Sequence, residues 1–277
     1  MKKAAISFLT FAVAFPCLAA TAARAQGRVI DEEIVLMDPT VAAPSKWAAG
    51  ASLEGWYVVG PYKTTNSAGE TVSKGSINGT IPGESLFIAY DRLTLQYSHR
   101  EGNFEIKQTN VDNSAIVTTN KQRQIEEEVT LRYLIATNKR VSPYVLVGYN
   151  ETSVANNEVL DPGFIFTYNG TNTYRDRTKY TSGLVGGGAI IAFNEHFGVR
   201  ADGRLLFTSG VYKRDDNKFR ASGSGVGGAA TGTLYVNIVK GLNVQAGLKG
   251  QVLNGGKNVG AYGRFGMFAS AGYSLKF

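Results

Sequence analysis

Cysteine is nearly missing: Cys17 is the only one among 277 residues, and it falls in a stretch that has the look of a removable leader. Without cysteine, the remaining 250 or so residues cannot rely on the disulfides that hold many exported domains together, and must draw stability from elsewhere. Histidine is as scarce, His99 and His196 alone, so the chain offers no His/Cys cluster and no metal site is expected. Nor does charge of one sign dominate, with 29 Lys and Arg against 22 Asp and Glu. Removing Lys2, Lys3 and Arg24 with the leader leaves 26 against 22, a formal charge of about +4. No basic cluster is interleaved with aromatic residues, so the sequence excludes a nucleic-acid partner. After Ala25 no stretch approaches the roughly 18 consecutive apolar residues of a membrane-spanning helix. If this chain enters a membrane it must do so as strands.

The N-terminus is informative by what it contains. Lys2 and Lys3 precede the apolar run Ala4 to Ala20, and Ala23-Arg24-Ala25 precedes Gln26. That is the pattern of a secretory signal over residues 1–25 with an A-x-A cleavage site. A retained helical anchor is the rival, but Pro16 interrupts the run. Cys17 follows Pro16, with Ala14 at the third position back, which does not make the Leu-x-Gly/Ala-Cys pattern of a lipoprotein.

From residue 46 to residue 277 the chain divides into segments of alternating polarity. The first puts Trp47, Ala49, Ala51, Leu53, Tyr57 and Val59 on one face and Ser52, Glu54 and Trp56 on the other. Others set Leu93, Leu95 and Tyr97 against Thr94, Gln96, Ser98 and Arg100, and Val129, Leu131, Tyr133 and Ile135 against Glu126, Glu128, Thr130 and Arg132. A period of two places each set on one face of a strand. About ten such segments can be counted. Tight connections such as Asp91-Arg92, Thr137-Asn138-Lys139-Arg140, Asn194-Glu195-His196 and Lys240-Gly241 alternate with long ones near 61–83, 107–122, 152–178, 213–224 and 254–261. A β-sandwich has no reason to sort its connections by length, whereas a transmembrane barrel does. The expectation is an all-β, antiparallel, up-and-down transmembrane barrel of about ten strands, with both chain ends on the periplasmic side.

The chain ends Ser270-Ala-Gly272-Tyr-Ser-Leu275-Lys-Phe277. This polar-x-Gly-x-x-apolar-x-aromatic pattern, with the signal and the alternating loops, resembles the outer-membrane β-barrel family of Gram-negative bacteria. The resemblance implies that Ser270, Gly272, Leu275 and Phe277 form the signal read by the outer-membrane insertion machinery. It implies location in the bacterial outer membrane, with the lipid and lipopolysaccharide of that membrane as surroundings. Residues 26–45 carry Asp31-Glu32-Glu33, the apolar Ile34 to Met37, and Pro39 and Pro44. They are expected to form a periplasmic leader; the alternative is a segment that folds back to plug the lumen or adds a strand to a partner.

If the apolar faces meet lipid, then Glu54, Glu126, Glu128, Asp202, Arg100, Arg132, Arg200, Arg204, Lys249 and Arg264 face the lumen. In so narrow a barrel such charges are expected to pair and fill the interior. Gly183, Gly186, Gly187 and Gly188, and Gly223, Gly225, Gly227 and Gly228, would ease curvature or leave room for arginines across the lumen, or else widen a conducting path. Two function classes follow. One is a barrel with a filled lumen whose loops, rich in aromatics such as Phe164, Phe166, Tyr168 and Tyr174, meet an extracellular ligand; the other is a narrow diffusion channel. Catalysis is a third, lesser alternative. Omptin proteases and lipid A deacylases are barrels with catalytic residues high on the wall, but Tyr97-Ser98-His99 lacks the omptin Asp-x-His and His99-Arg100-Glu101 lacks the deacylase His-x-Ser. His99 shares its face with Leu93, Leu95 and Tyr97, outside the barrel, and His196 falls in a turn. No catalytic group or cofactor is expected.

Overall fold

A computed structural model describes residues 47–65, 71–110, 116–136, 140–160, 173–194, 196–214, 219–239 and 241–276. The signal, residues 26–45 and Phe277 lie outside the described residues. Ten strands follow one another: β1 (Trp47–Thr65), β2 (Thr71–Tyr90), β3 (Leu93–Asn110), β4 (Ile116–Leu134), β5 (Val141–Leu160), β6 (Thr173–Ala192), β7 (Phe197–Arg214), β8 (Arg220–Val239), β9 (Leu242–Asn254) and β10 (Ala261–Lys276). Each pairs antiparallel with its sequence neighbours, and β1 pairs with β10, so the sheet closes on itself. There is no helix among the described residues.

The alternation read from the sequence sets which side chains point where. Leu53, Leu86, Leu131, Val147, Phe207, Leu234 and Met267 are exposed on the outer wall, while Trp56, Phe104, Leu146 and Tyr235 are buried inside. Aromatic rings bracket the outer apolar belt. Trp47 packs on its cross-strand partner Tyr90 with ring centroids 4.7 Å apart, and Phe193 on Phe197 at 5.6 Å, at the end where β1 starts and β10 finishes. Tyr97 and Tyr149, both paired with Val129, mark the opposite margin. Amphipathic rings at both margins of an apolar belt are the outer surface that a hydrocarbon layer requires.

The strands are much longer than that belt. β1 to β8 each run 18–20 residues, about 60 Å along the strand and roughly 45 Å in height at a tilt of about 40°. The apolar belt of such barrels is only about 25 Å tall. Nearly half of the wall therefore stands clear of it. This corrects the long connections expected at 61–83, 107–122, 152–178 and 213–224, because most of those residues continue the strands. Their period of two persists, but above the belt the outward positions become Glu101, Asn103, Arg177 and Ser222, and the apolar half of the signal disappears.

The wall is uneven in height. β9 and β10 have 13 and 16 residues, so the β1–β10 pairing ends at Val59↔Phe265 while β1 continues on β2 to Thr65↔Thr71. On the other flank the β8–β9 pairing ends at Gly228↔Val252, while β8 pairs with β7 as far as Lys213↔Arg220. A notch results above β9 and β10. The β9–β10 connection leans on its β8 side: the amides of Asn254 and Asn258 donate to the carbonyls of Val226 and Ser222, both at 3.3 Å. Gly256 and Gly260 take φ of +79° and +87° to make that turn, a region closed to most side chains.

Candidate functional site: a cross-braced lumen

All ten charged residues singled out from the sequence lie on inward positions of their strands. They form two linked clusters. In the upper one, Arg100 Nε donates to Glu54 Oε1 and its Nη1 to Glu126 Oε1, both at 2.9 Å. Arg264 donates from the far wall to the other oxygen of Glu126 and to Gln251. Lys249 stands 3.8 Å from Glu54, and the Lys249 and Arg264 cations lie 4.6 and 4.8 Å from the centre of the Trp56 ring. In the lower one, Arg204 reaches Glu128 at 2.7 Å and Asp202 at 2.8 Å, and the Tyr144 hydroxyl donates to the second Asp202 oxygen at 3.3 Å. Arg132 donates to Gln96 at 2.9 Å and lies over the Tyr144 ring; Arg200 donates to Gln245 at 3.3 Å.

These contacts brace the barrel from side to side. Glu126 and Arg264 belong to β4 and β10, separated by three other strands around the ring. Glu128 and Arg204 join β4 to β7. A third brace runs above them, where the Tyr262 hydroxyl of β10 lies 2.9 Å from Gln122 and 3.1 Å from Gln124 of β4. Glu126 has no exposed side-chain surface, and a charge so placed is tolerable only because two guanidinium groups share it. Above the charged layers the lining divides: Val58, Ile77, Ile81, Phe104, Ile106 and Leu253, on β1 to β3 and β9, are apolar, while Gln122, Asn156 and Asp176, on β4 to β6, are joined by hydrogen bonds of 2.7 and 2.8 Å. The interior of the protruding half thus resembles that of a soluble domain rather than that of an aqueous duct.

Glycines make this filling possible. Arg100 arches across β2 at Gly83, its register partner, where an added Cβ would stand 2.6 Å from Arg100 Cγ. Gly186 faces Arg204 and Gly188 faces Asp202 in the same manner. Gly183 and Gly187, by contrast, sit on outward positions.

Reasoning from charge missed the neutral members. Trp56, Gln96, Tyr144, Gln245 and Tyr262 connect the charged groups, and the one available signal was their position on otherwise polar faces, Trp56 directly between Glu54 and Val58. Ser270 and Gly272 face inward beside Glu54 and Ser52 of β1, and Leu275 faces outward opposite Ala49. His99 is on the outer wall, 3.8 Å from Glu127. His196 is in the β6–β7 turn, where its backbone N–H donates to Asn194. Among the described residues no group of acidic, His or Cys side chains is arranged to hold a metal ion.

A family model described as the outer membrane protein beta-barrel domain matches residues 39–229. No curated protein sequence matches the chain. Among solved structures it is similar to the outer membrane protease OmpT from Escherichia coli, with a TM-score of 0.53 at 10% identity over 84% of this chain and 97% of that one. It is also similar to the translocator domain of the autotransporter NalP from Neisseria meningitidis, with a TM-score of 0.50 at 9% identity over 94% of this chain and 97% of that one. At such identities the likeness is one of fold.

Proposed function

Since the chain belongs to the outer membrane protein beta-barrel domain family, and so resides in the bacterial outer membrane, we propose that it is a barrel with a side-chain-filled lumen. Its work is then done on the outer surface of the wall that rises beyond the membrane. The reading rests on the braces from Glu126 to Arg264 and from Glu128 to Arg204, which cross the interior where a solute would pass. Such a role is structural or adhesive rather than catalytic. His99, the one histidine on a strand, stands on the outer wall in register with Glu84 and Glu127, outside the lumen.

Planar-bilayer conductance tests this reading. The unmodified protein is expected to give small, intermittent currents. The Arg204→Ala/Arg264→Ala variant, checked for folding by its heat-dependent gel mobility, is expected to conduct several-fold more, because each change removes a strut as well as a charge. A large, steady current from the unmodified protein would overturn the filled lumen and install a narrow diffusion channel in its place.

A further inference from the structure

The buried interior is short of hydrogen-bond acceptors. Among the described residues, every buried side-chain nitrogen or oxygen left without a hydrogen-bond partner is an N–H group or a hydroxyl, and none is a carboxylate oxygen. The shortage is concentrated in the upper charged cluster. Trp56 is fully buried, and its indole N–H has no acceptor. Arg264 directs Nη2 to Glu126 and Gln251, while its Nε and Nη1 have no acceptor. The Arg264 guanidinium lies 4.8 Å from the centre of the Trp56 ring, so these unmet donors belong to two groups in contact.

Neither group can turn from donor to acceptor, because indole and guanidinium carry N–H groups alone. Their acceptor must come from outside the chain, as a water or an ion. Charge decides between the two. The upper cluster holds three cations, Arg100, Lys249 and Arg264, for two carboxylates, Glu54 and Glu126. The lower cluster cannot make up the difference, since Arg132, Arg200 and Arg204 likewise outnumber Glu128 and Asp202. Higher up, Asp176 has Arg214 as its register partner. Lys249 also leans on the Trp56 ring, 4.6 Å from its centre, which brings a second cation to the same place. A neutral water would leave the excess charge uncompensated where burial makes it costly. A monovalent anion removes the excess and accepts from Trp56 and Arg264 together. Since neither side chain has appreciable exposed surface, the ion must be small.

We propose that the lumen binds a small halide-like anion, held by the Trp56 indole N–H and the Arg264 guanidinium beside Lys249. The site rests on the filled lumen proposed above, and its test separates the two. Trp47 and Trp56 are the only tryptophans, so Trp47→Phe, a change on the outer margin, leaves Trp56 as the sole reporter. This full-length variant, folded in an uncharged detergent, is titrated with sodium bromide against sodium gluconate at constant ionic strength. Bromide is close to chloride in size and quenches the fluorescence of an indole that it touches. Quenching is expected to saturate, and chloride to reverse it. Arg264→Gln should weaken bromide binding at least tenfold, and Lys249→Gln, which leaves the Glu126 braces in place, several-fold. Arg123→Gln, which removes a charge from the outer wall, should leave it unchanged. Heat-dependent gel mobility checks the folding of each variant, and Lys249→Gln decides alone if Arg264→Gln does not fold. Absence of quenching would overturn the anion site and leave the filled lumen standing, with water on the unmet donors. Quenching that rises linearly and is not reversed by chloride would overturn both, because bulk solvent would then reach Trp56. Bromide binding unaltered by both lumenal substitutions would also overturn the site.

Discussion

At the scale of single residues the barrel obeys a simple exchange of volume: where one strand sends a large side chain across the wall, its register partner gives up a Cβ. Phe87 lies against Gly50 and Phe104 against Gly79, as Arg100 lies against Gly83. The glycines cost conformational entropy in the unfolded chain and remove packing from a strand, yet the covering side chain restores the lost contact. A glycine with open space around it carries no such constraint. Gly183, on the outer face opposite Phe207, has nothing within 4 Å of an added Cβ. Gly83→Val is therefore expected to destabilise the barrel by about 1–3 kcal/mol through overpacking, and Gly183→Val to be neutral or slightly stabilising. Urea midpoints of folding into lipid vesicles would compare them, and equal losses would remove the packing explanation.

At the scale of the strand, β10 closes the barrel, and it carries the terminal pattern on both of its faces. Ser270 and Gly272 lie inside against Glu54 and Ser52, while Leu275 lies outside against Ala49. The pattern thus couples inward residues that fit the first strand to outward residues that meet lipid. If it is also the signal for insertion, deletion of Phe277 should impair assembly far more than Ser274→Ala, which changes an inward side chain outside the pattern. Recovery of the heat-modifiable form from outer membranes would measure this, and normal assembly of the truncated chain would refute it. Strands were the level at which the sequence could be read best. Inside the belt, residues such as Leu93, Leu95 and Tyr97 alternate with Thr94, Gln96 and Ser98, and this fixed both the strand and its orientation. Beyond the belt both faces of β6 are polar, as Arg175, Asp176, Arg177 and Thr178 illustrate. Polarity alone made that stretch look like loop, because periodicity reports a difference between two environments and not the strand itself. The charged lumen was legible for the same reason, whereas its partners Trp56, Tyr144 and Tyr262 were not. Which groups meet across the barrel depends on closure and register, and no local pattern contains either.

At the scale of the whole molecule the barrel has one packed interior and two exteriors, lipid below and water above, and its stability should be distributed accordingly. In the lower part every strand has two hydrogen-bonded neighbours, and lipid excludes water from the outer face. In the upper part β1 beyond Val59 and β8 before Gly228 each have a strand on one side only, and solvent reaches the outside. Asn254 and Asn258 cover part of the β8 edge, while β1 places Pro61 on its own edge segment, a residue that cannot offer a donor to a foreign strand. Local opening follows the number of neighbours and the access of water. Hydrogen exchange on the protein in lipid nanodiscs should therefore find the fastest strand amides in residues 60–65 and 220–227. The slowest should lie in the middle of β4, which is tied across the lumen through Gln122, Gln124, Glu126 and Glu128. The braces give this prediction its force. If interior packing governed protection uniformly, the two flanks of the notch would exchange as slowly as β4, and that result would mean that strands or loops above β9 and β10 close the wall in the membrane.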